Sequence, residues 1–100
     1  MDNYQVKLTP KAYRDLDSIF DYIAGTLSER GNAERTAKRL ESAILSLREF
    51  PYRGAMRRTS VFANKDYRQL FSGRYAILYR VDEAEKEVVI VTVVYASSDI

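Results

Sequence analysis

The segment EVVIVTVVYA, residues 87–96, limits how this chain can fold more than any other feature of it. Its apolar side chains occupy both faces of an extended strand, which is typical of a central strand that is covered on both sides. Residues 75–81 form the strand before it, with Ala76, Leu78 and Arg80 on one face and larger apolar side chains on the other. Polar residues 82–86 form the turn between the two strands. The chain therefore contains a sheet that needs other elements packed on it.

An N-terminal strand and a first helix are predicted from local patterns. Residues 4–8 alternate apolar and polar side chains, which indicates a half-buried strand. Thr9 can cap the helix and Pro10 suits its first position, because the N–H that proline lacks has no helical partner there. Apolar residues then recur at helical spacing. This stripe consists of Ala12, Leu16, Ile19, Phe20, Ile23 and Leu27.

A second helix is predicted over residues 33–49. Gly31 and Asn32 indicate the break before it, with Asn32 as its cap, and Pro51 ends it. Phe50 is expected to lie under the sheet. The short connection predicts that the two helices form an antiparallel hairpin. The apolar stripe of the second helix consists of Ala33, Ala37, Leu40, Ile44 and Leu47.

The remaining segments complete the predicted fold. Residues 52–65 form a loop with some strand character around 60–62, and residues 66–72 form a strand that joins the next one at Ser72-Gly73. The order β-α-α-β-β-β predicts an α+β fold in which an N-terminal helical hairpin packs on a mainly antiparallel, twisted sheet. One hundred residues predict a single domain, 1–100. The first strand is expected to pair with the strand at 66–72.

Basic charge is concentrated in one part of the chain. Residues 51–80 carry seven lysines and arginines against Asp66 alone, a net charge of +6, whereas residues 1–50 are neutral and residues 81–100 carry −4. This predicts an anionic partner, either a nucleic acid or an acidic protein segment. The alternative is solvated surface, with arginines paired to Asp82, Glu83 or Glu87. The candidate binding residues are Arg53, Arg57, Arg58, Lys65, Arg68, Arg74 and Arg80.

Several kinds of site are excluded by composition. The chain has no cysteine and no histidine, so it can form neither a disulfide nor the catalytic arrangements that need those residues. Its four glycines are scattered and make no phosphate-binding loop. We therefore expect no metal site and no cofactor. Asp17 and Asp21, one turn apart, are interpreted as exposed helix charge. No segment approaches membrane-spanning length, so a cytoplasmic location is expected.

The ordered set of segments resembles a known family. The helix ending LREFPYRG, followed by KDYRQLFSGRYAILYRVDEAEKEVVIVTVVYASSDI, is similar to the RelE/ParE superfamily of bacterial type II toxin–antitoxin toxins, which includes plasmid stabilisation proteins. The resemblance covers nearly the whole chain and implies the RelE/ParE fold. It also implies a cognate antitoxin, typically acidic and partly disordered alone, that wraps the toxin. Homodimer formation is left open.

The resemblance implies two activities and does not choose between them. RelE-like members cleave messenger RNA on the ribosome without a metal, whereas ParE-like members block DNA gyrase. If this chain is a nuclease, the resemblance and the basic stretch make Lys65, Arg68, Arg74, Arg80 and Tyr95 the candidate catalytic residues, with Lys65 or Tyr95 moving protons.

Departures from the nuclease pattern favour the ParE-like activity. Ala76 stands where RelE-like nucleases carry arginine, Tyr95 where many members carry histidine, and Ser98 where many carry arginine before the terminal Asp99. The sequence also stops at Ile100, without the extension that supplies a further tyrosine in RelE-like enzymes. We therefore expect a ParE-like growth inhibitor. The alternatives are a ribosome-dependent mRNA endoribonuclease and a degenerate toxin that only binds antitoxin.

Overall fold

Two helices pack on one face of a five-stranded sheet in the computed structural model, which describes residues 3–56 and 67–96. The predicted strand character around 60–62 lies outside the described residues. The predicted α+β class is confirmed. The elements in chain order are β1 Gln5–Leu8, α1 Pro10–Asp21, a π-helical turn Tyr22–Thr26, α2 Arg30–Ser46, β2 Ala55–Met56, β3 Arg68–Ser72, β4 Tyr75–Asp82 and β5 Glu87–Tyr95.

The sheet has the order β1-β5-β4-β3-β2, in which β1 runs parallel to β5 and the other pairs are antiparallel. The expectation that β1 lies beside the strand at 66–72 is wrong. β5 has a hydrogen-bonded neighbour at each edge, as expected of a central strand. The predicted cover on both faces is incomplete among the described residues: the helices cover one face, and Val89 and Val94 on the other face are half-buried. The register of β1 and β5 pairs Val88 with Val6 and Ile90 with Leu8, so apolar side chains of both strands contribute to the core.

The start of α1 follows the sequence prediction. The Thr9 hydroxyl accepts a hydrogen bond from the Ala12 N–H at 3.1 Å, and Pro10 takes the first helical position. The same hydroxyl donates to the Val91 carbonyl at 2.8 Å. One side chain therefore caps the helix and fastens it to β5.

The break between the helices lies earlier than Gly31-Asn32. α1 continues into the π-helical turn, and the chain reverses at Ser28, whose φ of 54° lies in the left-handed region. Gly31 and Asn32 belong to the first turn of α2, and the Asn32 amide donates to the Glu29 carboxylate at 3.2 Å instead of capping the helix. The reversal thus depends on a serine in the left-handed region, which apolar periodicity does not reveal.

α2 also ends earlier than predicted, at Ser46. Leu47 turns inward and is fully buried, whereas Phe50, expected under the sheet, is 57% exposed. Tyr79 occupies the space beneath this corner: its hydroxyl donates to the Pro51 carbonyl at 2.8 Å and accepts from the Gly54 N–H at 3.0 Å. A core tyrosine therefore fills the place predicted for Phe50.

The core lies between the helices and the sheet. The register of β4 and β5 shifts between Leu78 and Tyr79. As a result Val93 lies opposite Ile77 and Ile90 lies opposite Tyr79, so both face the core. This irregularity keeps β5 apolar towards the helices along its whole length. The largest fully buried side chains are those of Leu40, Leu47, Ile77, Tyr79, Val88 and Ile90.

Helix α1 covers the edge of β5 beyond the end of β1. The Asp15 carboxylate accepts hydrogen bonds from the Val93 N–H at 3.1 Å, from the Thr92 hydroxyl and from Lys11 at 2.9 Å. Burial would raise the pKa of Asp15, but these hydrogen bonds outweigh it and hold the pKa below its usual value. Asp15, off the apolar stripe in the sequence, thus replaces a missing strand partner.

No helix within residues 3–56 and 67–96 has the length and apolar character needed to cross a membrane.

Candidate functional site

Arg68, at the start of β3, lies on the helix-covered face of the sheet opposite Tyr79. Its guanidinium donates to the Gly54 carbonyl at 2.8 Å and to the Tyr52 carbonyl at 3.3 Å, and it lies 4.9 Å from the centre of the Tyr52 ring. Its neighbours are therefore backbone carbonyls and an aromatic face. This side chain holds the corner after α2 against β3.

The other arginines of the basic stretch point elsewhere. Arg80 pairs with Val89 and shares the opposite face of the sheet with Ala76, so Arg68 and Arg80 lie on different faces. Arg74 lies in the β3–β4 turn, at the far end of β3 from Arg68. Arg53 donates to the Ser46 hydroxyl at 2.7 Å. The described residues of the stretch thus form no single basic patch, and Arg57, Arg58 and Lys65 lie outside the described residues.

The acidic residues weighed as arginine partners bond elsewhere. Glu87 pairs with Lys7 at 2.6 Å. Glu83 accepts hydrogen bonds from the Tyr4 hydroxyl at 2.6 Å, from the Tyr52 hydroxyl and from Lys86 at 3.0 Å. These bonds lower the pKa of Glu83 to about 2, and the bond to Glu83 raises the pKa of Tyr52 to about 12. We call Tyr4, Tyr52, Glu83 and Lys86 the Glu83 cluster.

A groove of about 830 Å³ brings Arg74 and Tyr95 together. It lies between the tip of the helical hairpin and the β3–β4 turn. Tyr75 and Tyr95 pair across β4 and β5, with ring centres 5.6 Å apart and planes at 70°. Burial, followed by the neighbouring phenols of Tyr95 and Tyr22, raises the pKa of Tyr75. We call this the tyrosine–arginine groove; its main side chains are Tyr22, Ile23, Arg39, Arg74, Tyr75 and Tyr95.

The tyrosine–arginine groove is positively charged. Among its described lining residues the charged groups are Arg39 and Arg74, with no carboxylate. Sequence reasoning missed Arg39, Tyr22 and Tyr75 as site residues. Arg39 lies off the apolar stripe of α2 and Tyr22 off that of α1, so only the packing of the hairpin against the sheet brings them to Arg74. No local pattern in the sequence marks this group.

A second, apolar groove of about 420 Å³ lies between β1 and the two helices. Val6, Leu16 and Leu40 are among its lining residues, and its charged lining residues are Lys38 and Glu41. Ala37, predicted on the buried stripe of α2, is exposed along this groove. Within the part of the chain that the structure describes, no group of carboxylates is arranged to hold a metal ion.

A helical hairpin on one face of a mainly antiparallel sheet, with β1 beside β5, is the architecture of RelE/ParE-type toxins. The chromosomal ParDE toxin–antitoxin system of Pseudomonas aeruginosa has a chain with this fold, with a TM-score of 0.75 and 24% identity, over 92% of this chain and 95% of that one. The RelBE2 toxin–antitoxin complex of Mycobacterium tuberculosis matches with a TM-score of 0.64 and 28% identity, over 95% and 93%.

The family follows from the sequence match. The family model of the ParE toxin of the type II toxin–antitoxin system parDE matches residues 6–100. The chain therefore belongs to the ParE toxin family, and the predicted RelE/ParE resemblance is confirmed. A search of curated proteins finds no significant match.

Proposed function

We propose that this ParE-family toxin inhibits growth by binding a protein target such as DNA gyrase, and that a cognate antitoxin neutralises it. The observation that carries the proposal is the divergence of two arginines, Arg68 and Arg80, that the sequence makes candidates for the same nuclease site. Arg68 and Arg80 face opposite sides of the sheet. A phosphorane in a transition state needs cations that converge on one point, so these two arginines cannot serve the same phosphate.

The position of Ala76 supports the same proposal. It stands where the RelE-like pattern has an arginine, and here it is 1% exposed, paired with Phe71 on one side and Val94 on the other. A buried methyl group supplies neither charge nor a proton. The packing of this position is that of a sheet interior.

Four of the eight tyrosines are poor candidates for an activated base. The pKa values of Tyr4, Tyr52, Tyr75 and Tyr79 are all raised. A phenol that already titrates near 10 becomes a weaker candidate for removing a ribose proton at neutral pH when its pKa rises further.

Inhibition of gyrase is tested directly with purified proteins. The toxin is expected to reduce DNA supercoiling by gyrase in proportion to its concentration, and pre-mixing with the antitoxin is expected to restore it. Unchanged supercoiling at a large molar excess of folded toxin would contradict gyrase as the target.

Neutralisation by an antitoxin is supported by the similar chains, which come from toxin–antitoxin systems. A short acidic reading frame beside the gene is expected to encode the partner. Co-expression should relieve growth arrest, and the two proteins should co-purify. Growth arrest that persists when both are expressed and soluble would count against that partner.

The two alternatives predict different results. A ribosome-dependent endoribonuclease would produce new cleavage sites in translated messages, detected by primer extension and lost in Arg68→Ala. A degenerate toxin would leave growth unaffected when expressed without antitoxin. We expect growth arrest without message cleavage.

A further inference from the structure

The tyrosine–arginine groove combines two arginines with exposed aromatic and apolar side chains. Its two cations come from different elements, Arg39 from α2 and Arg74 from the β3–β4 turn. Among the described residues neither guanidinium forms an ion pair within 4.0 Å. Two arginines at one groove, with no carboxylate among its described lining residues, favour an anionic occupant, because guanidinium groups bind carboxylates through paired, charge-assisted hydrogen bonds.

The groove also exposes apolar surface. Ile19 and Ile23 line it, and Tyr22 and Leu27 at the same wall are 54% and 44% exposed. The π-helical turn Tyr22–Thr26 forms this wall, and such turns are frequent at functional sites. Tyrosine and arginine are enriched among the interface residues that contribute most to binding energy, and here they surround a small apolar centre.

We propose that an acidic segment of the antitoxin docks in the tyrosine–arginine groove, with carboxylates at Arg39 and Arg74 and one bulky apolar side chain against Ile19 and Ile23. This inference rests on the proposed neutralisation by an antitoxin and adds the place and chemistry of the contact. The charge of the groove is complementary to such a segment, and a permanent partner would cover its exposed tyrosine and leucine side chains.

A nucleic acid fits the groove less well. Its affinity for a protein grows with the number of phosphates neutralised, so a strand needs a track of cations. The described lining of the groove supplies two, and the other described arginines of the basic stretch, Arg53, Arg68 and Arg80, are not part of it. A short peptide needs only the two cations and the apolar floor.

The test measures the affinity of full-length antitoxin for toxin variants that each carry one charge reversal. Arg39→Glu and Arg74→Glu are each expected to weaken binding by about tenfold or more, because each replaces an attractive contact with a repulsive one. Arg48→Glu is the matched control: it reverses the same charge at an exposed position after α2, outside the described lining of the groove, and should leave affinity within about twofold of wild type. Thermal unfolding shows that each variant is folded.

Hydrogen exchange gives an independent measurement on the wild-type protein. Antitoxin binding is expected to slow exchange in residues 22–28 and 72–75, which form the two walls of the groove. Unchanged exchange in both segments in a saturated complex would overturn the inference.

The outcomes separate this inference from the proposed function. If Arg39→Glu and Arg74→Glu leave tight antitoxin binding unchanged, the groove is not the docking site, while the antitoxin remains the partner. If the wild-type toxin does not bind the antitoxin, both the docking site and the proposed neutralisation are wrong. Two further arms use gyrase and a labelled 20-nucleotide single-stranded DNA. If the reversals abolish gyrase inhibition or DNA binding while antitoxin affinity is unchanged, the groove serves that other partner and the inference is wrong.

Discussion

Gly54 is a position at which a single methyl group would collide with the core. A Cβ atom there would lie 2.6 Å from the Tyr79 hydroxyl oxygen and 2.7 Å from the Gln69 carbonyl oxygen. We expect Gly54→Ala to lower the free energy of unfolding by roughly 1–3 kcal/mol, as overpacking does, measured by urea denaturation. The control is Gly25→Ala, where no described atom beyond the local helix backbone lies within 4 Å of the new Cβ, so the change should be neutral or stabilising. Equal losses in both variants would contradict this explanation.

Tyr79 is the buried partner of the same corner. Tyr79→Phe keeps the ring but leaves the Pro51 carbonyl and the Gly54 N–H without their hydrogen bonds. The expected loss is about 1–3 kcal/mol of unfolding free energy, the cost of unsatisfied buried polar groups. Tyr13→Phe, at a ring that is 59% exposed, serves as the control and should change stability little. A Tyr79→Phe variant as stable as wild type would show that water replaces the hydroxyl.

At the scale of elements, Thr9 joins α1 to β5. Thr9→Ala removes both the cap on the Ala12 N–H and the hydrogen bond to Val91. We expect a loss of about 1–2 kcal/mol in chemical denaturation, since the cap alone is worth about 1 kcal/mol. Ser42→Ala, in the exposed part of α2, should be neutral. A smaller loss at Thr9 than at Ser42 would be inconsistent with this role.

The elements were predicted well where short-range patterns determine them. The Thr9 cap, the two amphipathic helices and the β3–β4 hairpin each depend on a few neighbouring residues, and the structure confirms them. The partner of β1 and the position of the helix break depend on packing between distant segments. Periodicity contains no information about either, so the sequence puts β1 beside the wrong strand and the helix break three residues too late.

The candidate site was less predictable, for a related reason. A run of basic residues in a sequence suggests one surface, but neighbouring residues of a strand face opposite sides of a sheet. Arg68 and Arg80 therefore diverge, whereas Arg39, from another element, meets Arg74. Whether the predicted site residues contact RNA or a protein stays a prediction.

At the scale of the whole molecule, the Glu83 cluster joins three segments far apart in the chain. The pKa of Glu83 falls from 4.5 to about 2 on folding, so its bonds stabilise the protein above pH 4.5, and the contribution is lost as the pH falls towards 2. Glu83→Gln should therefore be less stable than wild type at neutral pH, with a difference that shrinks between pH 4.5 and about 2. Urea denaturation across this range measures it.

The control for that experiment lies in the same turn. Glu85→Gln removes an equal charge from an exposed side chain, and its stability should run parallel to that of wild type at all pH values. Acid sensitivity persists in both variants, because the pKa of Asp15 is also lowered on folding. A Glu83→Gln difference that stays constant down to pH 2 would show that the cluster does not depend on the charge of Glu83.

The pairing of β1 with β5 sets a condition on biosynthesis. The strand made first, Gln5–Leu8, lies beside the strand made last, Glu87–Tyr95, and the remaining strands join β5 through β4. A nascent chain on the ribosome can form the helical hairpin early, but its sheet stays incomplete until the final strand has left the exit tunnel. Contacts so distant along the chain also form slowly. Synthesis of β5 is therefore required before β1 has a partner in the sheet.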